Sequence, residues 1–264
     1  VDYSVYKYLK VELQPNGVLL VTMNRPEVLN ACDNAGHQEL ARIWLDFDAD
    51  PKAKVALITG AGRAFCAGGD MREKVEDEVA NAKQVWRDAG NLVYNMINIR
   101  KPVVSAINGV AVGAGLAVAL LADISIAADH ARLIDGHTKL GVVAGDHAAL
   151  IWPLLCGLAR AKYYLLLCED VTGKDAAAMG LVSRAVPADE LMETAWKVAN
   201  RLANGSQWAI QGTKQALNSW LKNNISIFNE SLALELASLQ LPDMKEGQRA
   251  FAEKRAPQFP SAQV

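Results

Sequence analysis

Asp135, His137, Asp146 and His147 lie in one short stretch, Ile134-Asp-Gly-His-Thr-Lys-Leu-Gly-Val-Val-Ala-Gly-Asp-His147, among mostly small and apolar neighbours. Three of the chain's four histidines fall between positions 130 and 147. A histidine beside a carboxylate is the commonest equipment for moving a proton near neutral pH. Glycines at 136, 141 and 145 let the backbone turn closely around these groups. The same residues would also suit a solvated loop, so the surrounding elements must decide.

Those elements alternate. Val18–Asn24 reads as a strand after the turn signal Pro15-Asn16-Gly17, and Asn34–Asp48 as a helix with Leu40, Ile43, Trp44 and Phe47 on one face. Val55–Thr59 and Val103–Ile107 are buried strands, with a helix over about Asp77–Asn98 between them. A short helix near Gly115–Ala122 leads into strands at Asp123–Ala127 and Ala131–Ile134. Strand–helix alternation implies right-handed crossovers and an α/β core. Beyond Asp146 the pattern turns helical, apart from Leu181–Val186. Helices are expected near 187–204, 207–222, 226–240 and 243–254. Ile225, Ile227, Phe228, Leu232, Leu234, Leu236 and Leu239 exceed what one helical face needs, which suggests burial against another subunit.

Two glycine-containing turns end strands: Ala64-Phe-Cys-Ala-Gly-Gly-Asp70 and Gly109-Val-Ala-Val-Gly-Ala-Gly115. Small residues there let a ligand approach backbone N–H groups, and two such groups on one carbonyl oxygen make an oxyanion hole. Neither turn has the spacing of a dinucleotide fingerprint or a phosphate-binding loop.

Composition narrows the classes. Hydrophobic residues make up 51% and charged residues 21% of 264, enough for a large core and too little charge for disorder. A formal charge of -2, without single-sign runs, gives no footprint for nucleic acid. Asp123 interrupts the longest apolar run, so no membrane span is expected. Cys32, Cys66, Cys156 and Cys168 lack CxxC spacing, which argues against a zinc site or disulfide framework and fits a cytoplasmic setting. No signal-like segment opens the chain, and no repeat or low-complexity linker divides it.

Taken in order, Asn24-Arg-Pro-Glu-Val-Leu-Asn-Ala31, Ala64–Asp70, Lys101-Pro-Val-Val-Ser-Ala-Ile-Asn-Gly109, Gly113-Ala-Gly115 with Ala122-Asp123, and Ala250-Phe-Ala-Glu-Lys-Arg255 resemble the crotonase (enoyl-CoA hydratase/isomerase) superfamily. The resemblance covers nearly the whole chain. It implies an α/β fold with a ββα spiral core over 1–199 and a helical C-terminal trimerisation region over 200–264, assembled as a homotrimer or a dimer of trimers. It places the oxyanion hole on the N–H groups of Gly69 and Ala114. Coenzyme A, bound as part of an acyl-CoA thioester and not as a separate cofactor, would run along Val28, Leu29, Asn30, Ala31, Ala67, Gly68 and Asp70. Phe251 and Lys254 match a pair that reaches the coenzyme of a neighbouring subunit. No metal is implied.

Two departures carry the functional expectation. The two catalytic glutamates of the family's hydratases are replaced here by Ala117 and His137. Glu73 and Glu76 read as surface charges. Asp135-Gly-His137, followed by Gly145-Asp146 and Trp152-Pro153, is similar to a branch of the superfamily that cleaves β-diketones. That likeness implies His137 as base with Asp146 orienting it, His147 as a less favoured base, and Asp135 as structural. His37 and His130 read as surface residues. The reading is thus an acyl-CoA enzyme working through an enolate, with hydrolytic C–C cleavage of a β-keto substrate as its sharpest form. Hydration or isomerisation with a non-glutamate acid/base is the alternative, and a non-catalytic binding protein on the same fold the second.

Overall fold

A computed structural model describes residues 1–70, 72 and 78–263; the expectation for Glu73 and Glu76 lies outside them. The chain begins with a hairpin, β1 (Leu9–Leu13) and β2 (Val18–Met23), turned at Gly17 with φ +89°. Helix α1 (Asn34–Ala49) starts where the Asp33 carboxylate accepts the Gly36 N–H at 2.8 Å, an ordinary N-cap. Three rounds of the expected unit follow. They are β3 (Val55–Gly60), β4 (Cys66–Ala67) and α2 (Glu78–Asn98); β5 (Val103–Ile107), β6 (Ala111–Val112) and α3 (Gly113–Leu121); then β7 (Ile124–Ala128), β8 (Arg132–Ile134) and α4 (Ala148–Cys156). After α5 (Leu158–Leu167) come β9 (Val171–Thr172), α6 (Gly173–Ala178) and β10 (Arg184–Val186). Helices α7 (Leu191–Ala203), α8 (Gln207–Asn223), α9 (Ile225–Ser238) and α10 (Pro242–Ala252) complete the chain.

In each round the first strand joins one sheet and the second strand joins another. The larger sheet runs β1-β2-β3-β5-β7-β10 and is parallel except at the β1/β2 hairpin. Every residue of β3 and β5 is buried, the signature of parallel strands covered on both faces. The smaller sheet runs β4-β6-β8-β9. Its two-residue strands are too short for periodicity to reveal, and β1 carried no strand expectation. Trp44, Phe47, Phe65 and Trp152 are fully buried in the core between the layers.

The C-terminal helices pack on this core. Helix α7 lays Ala195, Ala199 and Ala203 against the sheet, and α9 packs on α4 and α2. This corrects one expectation: Phe228 and Leu232 are buried within the subunit, while Ile227 and Leu234 stay exposed. Period-3.6 spacing of 228, 232 and 235 already gives α9 an inward stripe. Among the described residues no helix is long and apolar enough to cross a membrane.

Candidate active site

The two glycine turns lie side by side. Strands β4 and β6 pair in parallel with Cys66 opposite Ala111 and Ala67 opposite Val112, so the two segments leave the pair side by side at Gly68 and Gly113. A Cβ on Gly113, whose φ is +52°, would stand 3.6 Å from the Gly68 Cα. On its other side Gly69 is bridged to Cys32: the Cys32 N–H donates to Gly68 O, and the Asp70 N–H to Cys32 O. In a parallel bridge this turns the Gly69 N–H away from Cys32. Ala114 sits in the first turn of α3, where backbone N–H groups have no partner within the helix. A Cβ added at Gly69 would meet nothing within 4 Å, so this strand edge opens to space. Both turns thus carry backbone N–H groups of the kind that can hold a carbonyl oxygen.

The segment expected to carry coenzyme A is a tight turn with Leu29 and Asn30 both left-handed, at φ 56° and 57°. Asn30 maintains it. Its Oδ1 accepts the Arg25 N–H, and its Nδ2 donates to Ala61 O and Ala64 O, each at 2.9 Å. This side chain is fully buried and its polar atoms are committed to the turn, so its part in the expected coenzyme segment is to shape the backbone. Asp70 is likewise engaged, by Arg72 and Arg25. The Arg72 hydrogen bonds, aided by Arg25, hold its carboxyl well below the usual range. Val28, Leu29 and Ala67 are half-buried, Gly68 is buried, and Gly69 is exposed at the turn. At the far end of the chain Phe251 is 63% exposed and Lys254 takes a left-handed φ of 54° just after α10.

No carboxylate replaces the family glutamate in α3, because Ala117 is buried in the core. The ionisable groups gather instead around His137. His137 Nδ1 lies 2.9 Å from Oδ1 of Asp135, two residues earlier in the chain. On its other edge, Nε2 is 3.9 Å from Asp146 Oδ2 and 3.6 Å from Glu235 Oε1, contributed by α9. Asp146 gives its second oxygen, Oδ1, to His147 Nδ1 at 2.6 Å. This corrects the expected dyad: Asp135 orients the His137 ring, whereas Asp146 is beyond hydrogen-bond reach of it and is held by His147. His37 is half-buried with Nδ1 against Asp33 O, and His130 is exposed; neither joins the cluster.

Sequence reasoning missed Glu235. The signal was available: it falls on the inward stripe Phe228–Ser231–Glu235 of α9, where a charged residue is anomalous. Gly145 makes the contact feasible, since any Cβ there would collide with Ser231 O and the Glu235 side chain. The Ser231 hydroxyl donates to Gly145 O at 2.9 Å and closes the joint.

Electrostatics follow from packing. Burial alone would depress His137, but the charges of Asp146 and Asp135 and its hydrogen bonds outweigh this, so its imidazolium persists well above the ordinary histidine range. Burial pushes the Glu235 carboxyl up, with Asp146 adding like-charge repulsion and His137 opposing. Burial also opposes ionisation of Asp146, yet His147 and His137 hold it below the usual range. A histidine that keeps its proton beside a glutamate that accepts one readily is a pair equipped to exchange it. Asp135, Asp146 and His147 have the ligand types of a metal site and bring donor atoms within 4.8 Å of one another, but Asp135 is already hydrogen-bonded to His137 and Asp146 to His147.

Comparison with known proteins agrees with this architecture. The chain is 35% identical over 251 residues to 1,2-epoxyphenylacetyl-CoA isomerase from Escherichia coli, covering 92% of this chain and 95% of that one. It superposes with a TM-score of 0.87 and 34% identity on a crystal structure of an enoyl-CoA hydratase/isomerase from Mycobacterium paratuberculosis, over 94% of this chain and 99% of that one. A β-diketone hydrolase from the cyanobacterium Anabaena, bound to (S)-3-oxocyclohexyl acetic acid, matches with a TM-score of 0.82 and 28% identity over 92% of this chain and 96% of that one. The enoyl-CoA hydratase/isomerase family profile matches residues 14–262, and the chain therefore belongs to that family, as a crotonase-superfamily enzyme of CoA thioesters.

Proposed function

We propose that the enzyme cleaves a β-ketoacyl-CoA hydrolytically, with Gly69 and Ala114 as the oxyanion hole and His137 as the proton carrier. The observation that carries this reading is the cluster itself: His137 set between Asp135, Asp146 and Glu235 where the family's glutamates are missing. In the resting site His137 holds a proton. Its transfer to Glu235, 3.6 Å away, frees Nε2 to act as a base. A water oxygen then adds to the β-carbonyl carbon while its proton passes to His137. The bond from that carbon to the α-carbon breaks, and its electron pair forms a thioester enolate whose oxygen accepts from the two turn N–H groups. His137 gives the proton to the α-carbon, releasing a carboxylic acid and the shortened acyl-CoA that keeps the α-carbon, and Glu235 hands the first proton back to His137. Asp135 keeps the ring oriented throughout. The likeness to the Anabaena β-diketone hydrolase supports this direction.

A second reading, hydration or double-bond isomerisation of an enoyl-CoA with the same proton carrier, is supported by relatives such as the Escherichia coli isomerase. Oxygen-18 water separates the two. Cleavage places the label in a released carboxylate; hydration places it in a 3-hydroxyacyl-CoA, and isomerisation places it nowhere. Label appearing only in the hydroxyacyl product sinks the cleavage reading.

The coenzyme would lie along the Val28–Ala31 turn and the Ala67–Asp70 loop, with Phe251 and Lys254 reaching a neighbour's coenzyme. The helices over 200–264 would form the self-association region of a trimer or dimer of trimers. Their outward apolar side chains support this, Trp208 being 91% exposed and Trp220 68%.

A further inference from the structure

His147 has no task in the reaction just described, yet its side chain is completely buried beside the reacting groups. Its position is fixed by the start of α4, where its backbone oxygen accepts the Leu150 and Ile151 N–H groups at 3.1 and 3.0 Å. From there the ring presents Nδ1 to Asp146 Oδ1 at 2.6 Å, a distance typical of a charge-assisted bond. Asp146 thus divides its oxygens between two histidines: Oδ1 to His147, and Oδ2 facing His137 at 3.9 Å.

One carboxylate between two imidazoles couples them, since a positive charge on either loosens the proton of the other. The remaining ionisable neighbours of His137 are Asp135, at the end of β8, and Glu235 of α9. The Cys168 thiol, just after α5, donates to Asp135 O, and Asp243 of α10, packed against Gly141, is occupied by Ser261. Within this set His147 is the group that brings positive charge to the far side of Asp146. Its Nε2 is buried without a hydrogen-bond partner among the described residues. That holds for the charged and the neutral ring alike, so the carboxylate at Nδ1 decides in favour of the charged one, and Asp146 raises the affinity of His147 for its proton despite burial.

We propose that His147 is a positioning residue: its imidazolium clamps Asp146 and offsets that carboxylate's charge, which keeps His137 able to release its proton. Facing three uncompensated carboxylates, His137 would be locked as an imidazolium, an acid that never becomes a base. The inference rests on the proposed role of His137 and would add to it a device that sets the working pH.

The test is titration of ring-labelled histidines by NMR, with the pH–rate profile measured in parallel. With four histidines in the chain, assignment by substitution is direct. His147→Asn keeps a donor toward Asp146 but loses the charge, and should move the His137 titration and the rate profile upward by about one pH unit. Asp146→Asn should move both downward. A His147→Asn variant that loses activity or melts earlier, with His137 titrating as in the wild type, overturns the proposal. Should that variant fail to fold, the wild type decides: His147 protonated on both nitrogens at neutral pH supports the proposal, and a neutral ring overturns it. Loss of the catalytic reading itself looks different, because His137→Ala would then stay active whatever His147 does.

Discussion

The glycine turns and the histidine cluster are built on opposite principles. The turns are backbone devices. Gly68, Gly69, Gly113 and Ala114 contribute main-chain geometry set by the β4/β6 register and the first turn of α3, and their side chains do almost nothing. The cluster is made of side chains alone, drawn from the loops after β8 and before α4 and from α9, a helix far along the chain. A backbone site tolerates changes in identity and fails when the chain path changes. A side-chain site can be re-equipped while the chain path stays fixed. On the proposed reading, this contrast lets one scaffold keep carbonyl activation while the proton chemistry beside it is replaced.

Substitutions sharpen the contrast. The largest loss is expected for His137→Ala, whose kcat should fall by about 10²–10⁴ with KM little changed, read in steady-state assays. Next comes Ala114→Pro, which deletes one donor N–H at a first-turn position where proline fits a helix; kcat should fall about 10²–10³ while circular dichroism is preserved. If both turn donors can be removed without effect, the backbone half of the comparison is wrong. Glu235→Gln should reduce kcat about tenfold and move the acidic limb of the pH–rate profile downward, since a neutral amide no longer favours the His137 imidazolium. An unaltered profile would remove α9 from the chemistry.

Two smaller effects concern stability. Asn30→Ala strips partners from buried carbonyls of Ala61 and Ala64 and should cost about 1–3 kcal/mol in denaturant unfolding. The cluster also gives stability a pH window. His137 binds its proton more tightly folded than unfolded, so its contribution is complete below the ordinary histidine range and is lost as pH rises through the raised value. Asp146 has the opposite shift: its contribution is present above the ordinary aspartate range and is lost as pH falls. Melting temperature measured against pH should therefore fall on both sides of neutrality, with the alkaline fall reduced in His137→Ala.

What the sequence disclosed follows the same division. Long buried strands such as β3 and β5 announce themselves as continuous apolar runs, whereas β4 and β6, two residues each, show no period and read only as glycine turns. His137 was legible from its type and surroundings. Its partner was not, because the choice between Asp135 and Asp146 depends on the local chain path around 135–137 and on competition from His147. Glu235 lay hidden because the apolar residues around it read as an outward surface. Its place on the 228–231–235 stripe signals an inward side chain, and the packing of α9 against Gly145 shows it there.

The most direct test compares wild type with His137→Ala in the turnover of β-ketoacyl-CoA substrates of graded chain length in oxygen-18 water. The expected result is a labelled carboxylate and a shortened acyl-CoA from the wild type, with both products lost together in the variant. Undiminished product from His137→Ala would contradict the central role given to the cluster.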